Sequence, residues 1–497
     1  MKLTELLDGV AYQLVSGTDE IEIRGVAYDS RKVEEGFLFI CIRGTVSDGH
    51  RYIPDVVQKG AAAILTETGA LENALPQEAE AAGITVLSAD NNRLSLALIS
   101  AAWFGHPARE LTTIGITGTK GKTTSTYMIR SILENAGHKT GLIGTIETMT
   151  GKRVIPSENT TPESWLIHEY FREMADAGCE CVVMEVSSQA FMMDRVAGIT
   201  FDYGIFTNIE PDHIGKNEHA DFEDYLNCKK QLLQNCRTGL VNRDDAHFDV
   251  IVDGADCVLE TYGFSEEADY RAENASLVSR PGYLGISYHA AGKVDFPVEI
   301  DIPGKFSIYN SLASIAVCHH IGAEPETIRR ALAGAKVKGR VEMVKVSDEF
   351  TLMIDYAHNA MALESLLSTL REYQPHRLVC LFGCGGNRDR NRRFEMGEIS
   401  GKMADLTIIT SDNPRNEEPQ AIIDDIKTGI GRTDGNYVEI IDRKEAIRYA
   451  IEHGEPGDIV ILADKGHEDY QIIKGKKYPM DERVLIREVL EEMRQEA

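Results

Sequence analysis

From Leu111 onward the chain carries short apolar runs with little internal alternation: TTIGIT, ECVVMEV, YGIFT and GLVN, with helical stretches between them. A run that is apolar at successive positions is buried on both faces, so this pattern predicts a parallel sheet covered by helices. Between about 250 and 303 the texture changes to a Gly-rich alternation (GYLGISYHAAGKVDFPVEI), which predicts antiparallel hairpins attached to the same domain. A helix beginning near Ser307 closes that domain. A third alternation starts near Arg340, with strands at TLMID, RLVCLF, DLTIIT, YVEII and DIVILA and a last helix over Val484–Arg494. The first 108 residues mix strand-like EIRGVAYDSR, GFLFICIRG, AAAILTE and ITVLSAD with a helix through Leu94–Phe104. Gly105-His106-Pro107 then breaks the pattern and reads as a linker. The expectation is an α/β protein of three domains, 1–108, 109–337 and 338–497. The central one is a P-loop ATPase-like parallel sheet with an antiparallel hairpin region, and the C-terminal one is Rossmann-like.

A length of 497 residues exceeds what one hydrophobic core serves, which agrees with several domains. The net charge of −27 argues against binding nucleic acid or an anionic membrane surface, since both need an excess of Lys and Arg. No apolar run reaches the roughly 18 residues of a membrane span, and MKLTELLDGVAYQL lacks the long apolar core of a secretory signal. The nine cysteines give no disulfide framework, and Cys179/Cys181 and Cys380/Cys384 lack a second ligand pair, so buried free thiols in a reducing cytoplasm are expected.

The strongest chemical signal is Gly118-Thr119-Lys120-Gly121-Lys122-Thr123-Thr124, placed between a strand and a helix. Glycines let backbone N–H groups close on phosphate oxygens, and the helix N-terminus adds a positive end. Lys122 reaches the β- and γ-phosphates and Thr123 holds Mg²⁺. Ile116 stands where the standard G-x4-GK-[ST] spacing has its first Gly. Such a loop indicates a nucleoside triphosphate but names no reaction.

The loop GTKGKTT resembles that of the Mur ligases, the ATP-dependent amino-acid-adding enzymes of peptidoglycan precursor synthesis. The resemblance runs over nearly the whole chain, through YDSRKVEEGFLF, NTTPE, MEVSSQ, NIEPDHIG, GRVE, DYAHN, FGCGGNRDR, SDNPRNEEP and DKGHEDYQ. Their order and spacing look like the MurE type, which adds the third residue of the stem peptide. The resemblance implies a cytoplasmic monomer that activates a carboxylate as an acyl phosphate and lets an amine displace the phosphate. It implies two Mg²⁺ sites and ATP as co-substrate, with Lys122 cradling phosphate, Thr123 on one metal, and Glu185, His213 and a CO₂-carbamylated Lys229 on the other. An ammonium has no lone pair for a metal, whereas a carbamate behaves as a carboxylate. Lys230 adjoins Lys229, and the spacing from His213 is longer than usual in the family, so the choice of lysine is left open at this point. Asn208, Asn310 and Arg340 match positions near adenine or phosphate, and Asp355 and His358 positions near the ribose and the domain junction.

For the nucleotide sugar, the resemblance implies contacts from Ser30 in the N-terminal domain and from Asn159, Thr160, Thr161, Ser187 and Arg195. For the amino acid it implies Arg388, Asp412, Asn413, Pro414, Arg415, Asp464 and Glu468. A guanidinium at Arg415 suits the distal carboxylate of meso-diaminopimelate and would repel the ammonium of lysine. The expected substrates are therefore UDP-N-acetylmuramoyl-L-alanyl-D-glutamate, meso-diaminopimelate and ATP. The same ligation with L-lysine or another diamino acid, a catalytically silent nucleotide-sugar-binding paralogue, and a P-loop ATPase that drives motion are the alternatives. Gln189, Met193, Ser307, Ala360 and Asp464 depart from the family pattern. Asp464 is the departure nearest the amino-acid segment.

Overall fold

The structure is a computed structural model that describes residues 1–44, 47–70, 79, 82–215, 218–280 and 282–496. The chain divides into two compact units, Met1–Tyr262 and Gly263–Ala497.

The first unit opens with β1 (Gln13–Ser16), β2 (Gly25–Ala27), β3 (Phe37–Ile40), β4 (Ala63–Glu67) and β5 (Thr85–Ala89), arranged in the order β1-β5-β4-β3-β2. Strands β2 to β5 are parallel and β1 runs antiparallel to β5. The four parallel strands coincide with the apolar runs. β1 was not expected, and its exposed QLVS carries no buried face for a pattern to register. Helix α1 (Asn92–Trp103) starts two positions before the expected Leu94, because the Asn91 side chain caps it by accepting from Arg93 N–H and Leu94 N–H.

The second sheet of this unit is built from β6 (Thr112–Thr117), α2 (Lys122–Asn135), β7 (Thr140–Ile143), β8 (Glu147–Met149), β9 (Val154–Pro156), α3 (Ser164–Asp176), β10 (Cys181–Glu185), β11 (Phe201–Phe206), α4 (Phe222–Gln234), β12 (Cys236–Asn242) and β13 (Val258–Gly263). The strand order is β13-β12-β11-β6-β10-β7-β8-β9. From β13 to β7 neighbours are parallel, and β8 and β9 continue antiparallel. β10 is buried at every position, as its uninterrupted apolar run requires. The carboxyl ends of β6, β10 and β11 meet at one edge, the place where α/β sheets bind ligands. Gly137, with φ 94, lies one residue past the Ala136 C-cap of α2, where the left-handed turn is needed.

The second unit begins with antiparallel β14 (Tyr270–Arg280), β15 (Tyr283–Gly292) and β16 (Phe296–Ile300), followed by α5 (Lys305–His320). Then come β17 (Glu342–Val344), β18 (Thr351–Ile354), α6 (Ala360–Arg371), β19 (Leu378–Phe382), α7 (Asn391–Met403), β20 (Leu406–Ile409), α8 (Pro419–Ile430), β21 (Tyr437–Glu439), α9 (Arg443–Glu452), β22 (Ile459–Leu462), β23 (Tyr470–Ile473), β24 (Lys476–Pro479) and α10 (Glu482–Glu496). The sheet order β17-β18-β22-β19-β20-β21 is parallel except for β17. All five strand segments expected from the third alternation are present. The β23–β24 hairpin was not expected. Its turn, Lys474-Gly475 with φ 48 and 75, is a two-residue hairpin turn. The Tyr373 hydroxyl, buried, donates to Gly285 O at 2.7 Å and accepts from Gly304 N–H at 3.2 Å, which ties α6 to the hairpin strands within this unit.

All nine cysteines are free, and eight are buried. Among the described residues no helix is long and apolar enough to cross a membrane.

Candidate active site

The loop between β6 and α2 is held open by local backbone demands. Gly118 has φ +135, and a Cβ there would stand 2.0 Å from Thr207 Oγ1. Gly121 has φ 87 at the N-cap of α2. Both positions exclude an ordinary side chain. The end of β11 pins the loop from the other side. The Thr207 hydroxyl donates to Lys120 O at 2.7 Å, Asn208 Oδ1 accepts from Lys120 N–H at 2.9 Å, and Asn208 Nδ2 donates to Lys120 O at 3.0 Å. Asn208, expected near the nucleotide, thus shapes the loop. Lys120 pairs with Glu210 at 2.7 Å.

Two lysines converge on one carbonyl. Lys122 Nζ donates to Gly118 O at 2.8 Å, and Lys229 Nζ, from α4, donates to the same oxygen at 2.9 Å. Lys229 is 2% exposed and stands 4.7 Å from the centre of the Tyr225 ring. Burial, with Lys122 beside it, holds its ammonium well below the usual lysine range. The neighbouring Lys230 is half-buried. Of the two lysines that the sequence left open, Lys229 is therefore the one at the loop.

Glu185 ends β10 and is fully buried. Its Oε2 accepts from the hydroxyls of Thr123 and Thr145, each at 3.0 Å, and its Oε1 accepts from Thr145 N–H at 2.8 Å. The Thr161 hydroxyl donates to Glu185 O at 2.9 Å and accepts from Ser187 N–H at 3.0 Å. A carboxylate beside a hydroxyl at a helix N-terminus is a hard-oxygen donor set that fits Mg²⁺. Next to it lies a cavity of about 320 Å³ lined by Lys122, Lys229 and His213 and by Asn159, Thr160, Thr161, Ser187 and Arg195. This brings three expected catalytic residues and five of the six expected sugar-side residues into one space. Ser30 is not among its lining residues. It sits in a short turn, Ser30–Lys32, capped by Asp29. His213 has φ 53, is mostly exposed and lies 3.4 Å from Glu218. Arg195 was expected as a fork for the substrate. Its Nε is committed to Glu163 at 2.8 Å and its Nη1 to Thr161 O at 2.9 Å, while Arg93 holds the other oxygen of Glu163 at 3.1 Å. Thr145 and Tyr225 carried no motif that would have singled them out, and Glu163, the end of the NTTPE segment, was given no role.

In the second unit the amino-acid segment closes around a lysine that the sequence analysis did not assign. Lys465 is fully buried. Its Nζ meets Glu468 at 2.8 Å, Tyr470 O at 2.6 Å, Asn413 Oδ1 at 3.2 Å and Asp412 at 3.2 Å. Asn413 also donates to Glu468 at 2.8 Å and accepts from Ile472 N–H at 2.9 Å. Arg415, with φ 53, donates to Gly386 O at 2.6 Å, and its own backbone bridges to β23 beside Ile473. The unexpected hairpin is thus what holds Asp412-Asn413-Pro414-Arg415 against Glu468. Asp464, buried with φ 87, stands beside Asp412. Burial and the Asp412 charge push its carboxyl well above the usual range. Burial also works against Asp412, but Lys465, Arg443 and the hydrogen bond from Asp464 outweigh it and hold that carboxyl low. Of the two carboxyls, Asp464 is thus the one that keeps its proton to higher pH. The arginine run divides in two: Arg390 and Arg393 bind Asp425, and Arg393 also binds Glu417, whereas Arg388 is exposed on the loop.

Arg340 lies 5.0 Å from the Tyr356 ring, which also packs against His358 at 4.5 Å and His467 at 4.6 Å. Asp355 accepts Val341 N–H and Ala357 N–H, each at 2.8 Å, so both its oxygens hold backbone. Burial lowers His358, and pushes His467 down to about 4. Asn310 is buried on α5.

The Mur ligase middle domain model matches residues 116–318, the Mur ligase glutamate ligase domain model residues 339–466, and the Mur ligase family catalytic domain model residues 22–102. The chain is 40% identical, over 99% of its length and all of the relative's, to the UDP-N-acetylmuramoyl-L-alanyl-D-glutamate–2,6-diaminopimelate ligase of Clostridium tetani. It is 41% identical, over 99% and 100%, to the protein of that name numbered 1 in Clostridium acetobutylicum. A solved structure of a ligase of the same name superposes with a TM-score of 0.72 at 26% identity, covering 99% of both chains. With three family models in register along the sequence and relatives matched end to end, the chain belongs to the Mur ligase family, as an ATP-dependent ligase of peptidoglycan precursor synthesis.

Proposed function

We propose that this chain joins meso-diaminopimelate to UDP-N-acetylmuramoyl-L-alanyl-D-glutamate, with ATP converted to ADP and phosphate, in the cytoplasm and as a monomer. The γ-phosphoryl group passes to the D-glutamyl γ-carboxylate. The amine of diaminopimelate then attacks the acyl carbon and phosphate leaves. Lys122 and the Gly118–Gly121 backbone hold the phosphates, and Asn208 keeps that loop in shape. Thr123 and Glu185 would hold one Mg²⁺, and Glu185, His213 and Lys229 a second. Bound there, the metals supply charge neutralisation for two anions that must meet. Lys229, buried and held toward its neutral amine, is suited to take up CO₂ as a carbamate with release of a proton, which turns a cation into an oxygen ligand. Asn159, Thr160, Thr161 and Ser187 orient the peptide carboxylate, and Ser30 meets the uridine end. Arg340, Asp355, His358 and Asn310 serve the nucleotide.

The observation that carries the choice of amino acid is Arg415 at the Gly385–Gly386 loop beside the Asn413–Glu468 pair. A guanidinium and a carboxylate on segments joined through Asn413 and the β23 hairpin suit a group bearing one carboxylate and one ammonium, the distal end of diaminopimelate. Relatives about 40% identical carry that substrate in their names. Phosphate release measured with the nucleotide sugar and either amine tests it. Diaminopimelate should be used far better than L-lysine, and equal use would refute the Arg415 assignment.

A further inference from the structure

Two cysteines are placed unlike the other seven. Cys236 opens β12 and is buried, and Cys257, partly exposed, immediately precedes β13. β12 and β13 are parallel neighbours with Thr238 opposite Val258, so the two cysteines stand at the starts of adjacent strands. Beneath them Gly204 of β11 and Gly239 of β12 are partners in register. A Cβ on Gly204 would stand 2.7 Å from Cys236 Sγ, and a Cβ on Gly239 would stand 2.7 Å from Cys257 Sγ. Two absent side chains thus make the space in which the sulfurs meet. The two thiols are close enough that each shifts the other's acidity, in opposite directions. Beside Cys236 the Cys257 thiol is held below the usual thiol range in spite of its burial, which favours its thiolate. The same spot is roofed by the end of α4: Leu232 and Leu233 come within 3.1 and 2.9 Å of those two Cβ positions. α4 is the helix that carries Lys229.

We propose that Cys236 and Cys257 are an oxidisable dithiol, converted by hydroperoxides into an intramolecular disulfide under the helix that bears Lys229, and that the oxidised protein is the slower ligase. The Cys257 thiolate attacks a peroxide oxygen. The O–O bond breaks, the departing hydroxide takes a proton, and Cys257 becomes a sulfenic acid. Cys236 then attacks that sulfur, the S–O bond breaks, and a second water leaves with the Cys236 proton. Two thiols are oxidised and one hydrogen peroxide is reduced to two waters. An added dithiol reverses the bond by exchange. A disulfide closes the sulfurs to about 2.0 Å, nearer than thiols in contact stand. The space beneath Leu232 and Leu233 changes with it, and that end of α4 repacks.

The test uses the full chain. The protein is treated with hydrogen peroxide, alkylated and peptide-mapped, and phosphate release is followed in parallel. The expected result is loss of the mass of two hydrogens, one linked peptide containing Cys236 and Cys257, and a rate about fivefold lower that dithiothreitol restores. Cys257→Ser and Cys236→Ala should each keep their untreated rate after the same dose. An oxygen adduct on Cys257 with Cys236 still alkylated, or a link between other cysteines, overturns the dithiol. A linked protein with an unchanged rate overturns its coupling to α4.

Discussion

At the phosphate loop two ammonium groups, on Lys122 and Lys229, donate to the single carbonyl of Gly118. At the amino-acid segment the buried Lys465 meets two carboxylates, an amide oxygen and a backbone carbonyl. Lys122 also donates to Thr119 O at 3.1 Å, and burial with Lys122 beside it drives Lys229 toward neutrality. The network around Lys465 sets one cation against two carboxylates. It fixes Asn413 and Glu468 in one geometry, while Arg415 holds Gly386 O and Arg388 is exposed. The difference teaches that burial alone does not set a lysine's state: beside another lysine Lys229 is pushed toward the neutral amine, whereas Lys465 is buried among acids.

The sharpest way to break that comparison is Lys122→Ala. Amine-dependent phosphate release should fall about a thousandfold with the melting temperature nearly unchanged, and a fall below tenfold would place the phosphate elsewhere. Lys465→Met should do the reverse. Removing the cation strands Asp412 and Glu468, and denaturant unfolding should report a loss of about 3 kcal/mol; an unchanged midpoint would show that the network is not structural. Lys229→Ala should lower the rate about a hundredfold, with part of the activity regained on adding formate or acetate, which supply the missing oxygen ligand. Absence of any rescue would count against the carbamate. Arg415→Ala should lower kcat/KM for diaminopimelate about a hundredfold and change L-lysine use little; equal losses on both amines would mean that Arg415 only holds the loop at Gly386.

The smallest effect tests the acid pair. Burial and the Asp412 charge keep the Asp464 carboxyl protonated well above its ordinary range. In the unfolded chain it ionises near pH ~3.9. Above that pH the native state holds a proton that the unfolded state has lost, so stability falls as pH rises until the native carboxyl also ionises. Asp464→Asn removes this loss, so the variant should gain over wild type from pH 4 upward, by about 2 °C in Tm at neutral pH. A difference that does not vary with pH would mean that Asp464 does not keep its proton to higher pH.

Most of the scaffold was legible because buried parallel strands write themselves as apolar runs. Thr112–Thr117, Cys181–Glu185 and Ile459–Leu462 needed no tertiary information. The phosphate loop was legible because glycine at Gly118 and Gly121 answers a backbone demand that leaves no alternative residue. β1 and the β23–β24 hairpin were not, since exposed strands carry no apolar face.

The sequence by itself determined the α/β alternation, the phosphate loop and the residues from which a ligand set is drawn, because local backbone geometry and burial constrain residue type. Only the tertiary structure set Lys229 on the loop carbonyl, committed Arg195 to Glu163, and set Lys465 among the acids of its pocket. Those outcomes depend on which distant groups share a low-dielectric space, and spacing along the chain does not encode that.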